Sequence, residues 1–137
     1  MSETVATAGT TDRSSLLVRG GLGIALGMAL NGILILGAGS LAYAEGVRAL
    51  TLPPVLFLTA AGGVGAVLVY WVVTGYLSAG ERTFVRVAAV ALVLSFLPDI
   101  ALLAMDPEVT VPAAVTLMVL HVIAAVAIVW ALVYWQP

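Results

Sequence analysis

The sequence has no cysteine and no lysine, and it is short of charge. Without cysteine there is no disulfide, thiol redox chemistry, thiolate metal site or iron–sulfur cluster. Without lysine no Schiff base to retinal or pyridoxal can form. Its basic residues are five arginines, set against seven carboxylates, so charged residues make up 9% of 137 positions. A soluble domain carries roughly 25%. A soluble fold of this length would have too much surface to cover with so few. Composition therefore excludes an ordinary soluble enzyme, a disordered chain and a nucleic-acid binder.

What is present is hydrophobic. Apolar residues make up 63% of the chain, and the mean hydropathy is +1.20. The charges are spaced as well as scarce. None lies between Arg19 and Glu45, none between Arg48 and Glu81, and none after Glu108. Asp99 stands alone between Arg86 and Asp106. A bilayer core of roughly 30 Å takes about 20 apolar residues in a helix. Four such spans fit, over residues 16–43, 55–77, 83–104 and 111–135. A polar tail over 1–14 precedes one four-span domain over 15–137. Thr110 is a candidate N-cap for the fourth span, with Pro112 in its first turn. The expected fold is all-α: a four-helix membrane bundle, up-down-up-down, because the loops are short. A small-x-small step at Ala42-Tyr43-Ala44 resembles a signal-cleavage site, but the apolar run before it is too long for one.

Arginine placement sets the expected orientation. Arg13 and Arg19 precede span one, and Arg82 and Arg86 lie between spans two and three. Only Arg48 falls on the other side. The positive-inside rule then puts both termini in the cytoplasm of a cell-membrane protein. Tyr70, Trp71 and Tyr76 on span two, and Trp130, Tyr134 and Trp135 on span four, read as aromatic anchors at the inner interface. The lipid bilayer is the expected partner, together with a second copy or another membrane protein; nucleic acid is not.

Small residues predict where helices meet. Gly23 and Gly27 form a small-xxx-small pair on span one, and Gly62 and Ala66 a second on span two. Asn31 continues the first stripe near mid-span, where an interhelical hydrogen bond is its default role.

Asp99 is the residue with most to say about mechanism. A carboxylate within a span is costly and faces protein or water. It follows Pro98, which cannot donate to the carbonyl of Leu94 and is expected to kink the helix. Ser95, one turn earlier on the same face, is a candidate partner for the freed backbone. His121, the only histidine, lies within about one turn of the depth of Asp99 if spans three and four form an antiparallel hairpin. An Asp99–His121 contact is expected, with Asn31 within reach of it. Such a pair either braces the hairpin or handles a proton or polar ligand. One histidine and one aspartate are too few for a metal site, no cofactor is implied, and no nucleophile–base–orienter set is visible. Glu45 and Arg48 are expected to form a weak local pair, or Arg48 to reach Asp99 over the bundle.

The four short spans, the Ser95-Phe96-Leu97-Pro98-Asp99 segment and the Leu120-His121 step resemble an uncharacterised prokaryotic family. Its members are small four-span membrane proteins classed as a domain of unknown function. The resemblance covers about residues 16–135 and implies a bundle in a membrane, with no activity attached. The function expected is non-enzymatic, with a structural or ligand- or proton-sensing Asp/His cluster. The alternative is a small oligomeric proton- or cation-coupled transporter using Asp99.

Overall fold

The computed structural model describes the backbone of residues 8–137 and the side chains from Arg13 onward. Within these residues the chain is all-α. Helix α1 spans Ala8–Ala38, α2 Leu52–Tyr76, α3 Gly80–Met105 and α4 Val111–Val129. A π-helical turn, Trp130–Tyr134, prolongs α4. Each of the four is long and apolar enough to cross a membrane.

The boundaries differ from the sequence reading in instructive ways. The polar segment over 1–14 was expected to be a tail, yet α1 begins at Ala8; residues 1–7 lie outside the described residues. At its other end α1 stops at Ala38, before the expected Tyr43. Gly39, Ser40 and Leu41 fold back onto the carbonyls of Ile35, Gly37 and Ala38 and take up helix-end acceptors. Two 3-10 turns, Ala42–Ala44 and Arg48–Leu50, follow. Between them Gly46 has φ +82°, which favours glycine. Pro53 and Pro54 do not precede α2 but sit in its first turn, where no donor is needed. Thr110 takes the N-cap position of α4 without a side-chain cap bond.

Packing follows the small residues. A Cβ on Gly23 would lie 3.0 Å from the Cβ of Ala131 and 3.1 Å from the Cα of Ile128. Gly27 faces Thr59, Ala124 and Ala127. The α1 stripe therefore seats α1 against α4 in antiparallel register, and against α2 at Thr59. On α2 it is Gly63, one residue beyond the predicted Gly62, that meets a neighbour, with Ile24 and Ile128 against it. Gly62 opens onto empty space, so the Gly62–Ala66 pair is not the contact stripe. One residue is 100° of helix, enough to turn a packing position outward.

The core has two parts. One gathers Ile35, Val47, Leu50, Val55, Ala113 and Leu117, so the connection after α1 folds over the bundle as a plug. Tyr43 joins it, its hydroxyl 3.2 Å from Oγ1 of Thr116. The other gathers Tyr70, Phe84, Ile128 and Leu132 at the opposite end. Outside, α3 is the barest helix: Val90, Val93, Leu94, Leu97, Ile100 and Met105 are all exposed. A continuous apolar surface of this kind is what a bilayer covers.

Candidate functional site

Two polar clusters lie at opposite ends of one face of α3, on which Glu81, Phe84, Ala88, Leu92, Ser95 and Asp99 recur at helical spacing. At 1.5 Å per residue, Glu81 and Asp99 are about 27 Å apart along the axis, close to the thickness of a bilayer core.

At one end Asp99 is 3% exposed, the one buried charged residue of the described chain. Its Oδ2 lies 3.2 Å from Nδ1 of His121, the one ion pair among the described residues. The His121 side chain is 38% exposed. The same Nδ1 is 2.8 Å from the carbonyl oxygen of Leu117, one turn back on α4. A carbonyl at that distance calls for a proton on Nδ1. One ring nitrogen thus faces two acceptors, and Asp99 Oδ2 is left without a hydrogen bond of its own.

The other predicted members of this group divide. Ser95 donates to the carbonyl of Leu92 at 2.6 Å, three residues back, and not to Leu94. Helix α3 runs on through Pro98 without interruption. Asn31 does not join Asp99 and His121. Its Nδ2 donates to Thr59 Oγ1 at 3.0 Å and to the Leu120 carbonyl at 3.2 Å, tying α1 to α2 and α4, and its Oδ1 has no partner. The reason is angular: Leu120 turns toward α1, and its neighbour His121 toward α3. The expected Glu45–Arg48 pair is not formed among the described residues, and Arg48 does not reach Asp99.

The second cluster went unseen in the sequence. Nη2 of Arg19 donates to the Tyr70 hydroxyl at 2.6 Å and to the carbonyl of Leu132. The Tyr70 hydroxyl in turn donates to Oε1 of Glu81 at 3.2 Å. The Tyr70 ring meets Phe84 edge-on, with centroids 5.1 Å apart. Tyr70 is thus buried among three helices and is not the interfacial anchor expected, whereas Trp71, Tyr76, Trp130 and Tyr134 are exposed. Leu132 lies in the π-helical turn that prolongs α4, where carbonyls lack helical donors, and the guanidinium supplies one beside the negative helix end. Glu81 is placed by a tight turn: a Cβ on Gly80 would lie 2.6 Å from Cα of Thr74. A signal was available. Arg19 is one step of four before Gly23, Gly27 and Asn31, on the packing stripe itself.

This cluster borders a cavity of about 890 Å³ at the α2–α3 turn, which also takes in Arg13, Trp71 and Arg82. A second, apolar cavity of about 280 Å³ lies between α1 and α4, beside Leu26, Leu30, Val122 and Trp130. Neither of these two touches Asp99 or His121. No group of three or more metal-binding side chains occurs among the described residues.

Fold and clusters together define a small all-α protein with four helices of membrane-span length and hydropathy, held by polar contacts near both ends. The family of unknown function DUF6069 matches residues 11–135, and the chain belongs to that family. No curated protein and no solved structure matches it.

Proposed function

We propose that the chain is a multi-pass cell-membrane protein, up-down-up-down with both termini cytoplasmic, whose Asp99–His121 pair is a proton-responsive contact between α3 and α4. It is not an enzyme. The orientation rests on Arg13, Arg19, Arg82 and Arg86 at one end of the bundle. The bare apolar surface of α3 supports the bilayer as its surroundings.

The observation that carries the proton-responsive reading is the shared Nδ1 of His121, between Leu117 and a buried Asp99. With imidazolium and carboxylate the pair is a charged bridge between helices. With a neutral ring the same Nδ1 proton is shared between the same two acceptors without the ring's charge, and the α3–α4 contact weakens. His121 is the one side chain paired with Asp99 among the described residues, so a proton taken up or lost there acts directly on the α3–α4 contact.

Hydrogen exchange of the full chain in nanodiscs tests this. Amides of the α3–α4 connection are expected to change protection between about pH 5 and pH 8. In Asp99→Asn and His121→Gln that change should vanish. Equal pH dependence in wild type and both variants would refute the reading. Proton-coupled transport is the alternative; proteoliposomes in which Asp99→Asn abolishes a proton flux shown by the wild type would favour it.

A further inference from the structure

The cavity at the α2–α3 turn has a charge balance that the bundle itself does not need. Three arginines, Arg13, Arg19 and Arg82, border it, and Glu81 is the one carboxylate there among the described residues. Glu81 already accepts from Tyr70, and Arg19 is spent on Tyr70 and Leu132. Arg13 and Arg82 are exposed, and neither makes a side-chain hydrogen bond or ion pair with the described residues. Arginine guanidinium groups are forks suited to bidentate contact with phosphate oxygens. The cavity volume, about 890 Å³, falls within the range of ligand sites. Its rim carries Leu16 and the half-exposed Trp71, the amphipathic lining of a membrane–water interface.

We infer that this cavity binds a phosphate-bearing anion, with Arg13 and Arg82 as its ligands. Arg19, Tyr70 and Glu81 form its fixed floor: they hold α1, α2, α3 and the end of α4 together and keep the two free arginines over one opening. The site is independent of the Asp99–His121 pair, which lies at the far end of α3. Two sources supply such a group, an anionic phospholipid headgroup and phosphate in solution.

Both can be tested on the full chain with Arg13→Gln and Arg82→Gln, using Arg86→Gln as the control. Arg86 is an exposed arginine on α3 that does not border the cavity. In the lipid arm, protein is released from nanodiscs of equimolar phosphatidylcholine and phosphatidylglycerol, and bound lipid is read by native mass spectrometry. In the solution arm, inorganic phosphate is titrated calorimetrically into protein in uncharged detergent. A headgroup site predicts retained phosphatidylglycerol on wild type and Arg86→Gln, and about tenfold less on the two cavity variants. A site for free phosphate predicts the same ranking in the calorimeter. Melting by circular dichroism should be unchanged in all three variants, since none of these side chains carries a bond within the fold. The inference is overturned if neither arm separates the cavity variants from wild type. It is equally overturned if Arg86→Gln weakens binding as much as Arg82→Gln, because general surface charge would then explain the affinity.

Discussion

The two ends of α3 place a carboxylate on the same face and use it in opposite ways. At Glu81 the acid is the outermost member of a chain of donors: Arg19 to Tyr70, Tyr70 to Glu81, with Leu132 drawn in as a second acceptor. Every link joins a different helix, so the cluster behaves as a clasp. At Asp99 the acid is deeply buried and has one neighbour, which it shares with a backbone carbonyl. In the first arrangement one guanidinium nitrogen meets two acceptors and ties several helices, with Arg19 Nε left unpartnered among the described residues; in the second one proton faces two claims. A cluster that links several helices stabilises a single geometry. A contact that rests on one shared proton can answer to protonation, because a charge on the ring strengthens the carboxylate's claim on that proton.

Removing the clasp is the strongest test of this contrast. Arg19→Met keeps the stem and deletes the donors, stranding the Tyr70 hydroxyl and the Leu132 carbonyl. A loss of about 2–3 kcal/mol is expected in chemical unfolding of the detergent-solubilised protein, roughly the same across pH 5 to 8. A pH-dependent loss would erase the distinction between the two ends. Next comes Asn31→Leu, which breaks the tie from α1 to Thr59 and Leu120 midway between the clusters. It should cost about 0.6–2 kcal/mol, and a double-mutant cycle with Thr59→Val should recover most of that as coupling. The smallest effect is expected from Gly62→Ala, within about 0.5 kcal/mol of wild type, set against a clear loss for Gly23→Ala from the Ala131 and Ile128 contacts. Equal losses at both glycines would place the seam of the bundle elsewhere.

The four helices were legible because hydropathy and charge spacing are one-dimensional signals, and the bilayer-length gaps between charges need no tertiary knowledge. The Asp99–His121 contact was legible for a related reason: a short hairpin fixes depth, and depth is counted in residues. Rotation about the helix axis was harder to read. Gly62 and Gly63 are indistinguishable by composition, and only the position of Ile24 decides which of them is inside. Asn31 was at the right depth but faced the wrong neighbour. Tyr70 was taken for an anchor by residue type, although its hydroxyl meets Arg19, whose place on the Gly23–Gly27–Asn31 stripe was the available signal. The end of α1 was missed because apolar residues continue past it: Leu41 and Tyr43 prolong the hydrophobic run while Gly39 and Ser40 turn the backbone.

The link from Arg19 to Leu132 joins positions 113 residues apart. During synthesis, α1 must therefore leave the ribosome with a guanidinium whose backbone acceptor does not yet exist. Tyr70 can engage it when α2 arrives, so the first hairpin has a provisional partner for the charge. Assembly then has a natural order: α1 with α2 first, the α3–α4 hairpin second, and closure of the ring only when the chain has been translated through residue 132. Until that moment Gly23 has no helix against it, because Ala131 and Ile128 are still to come, whereas Gly27 already meets Thr59 of α2.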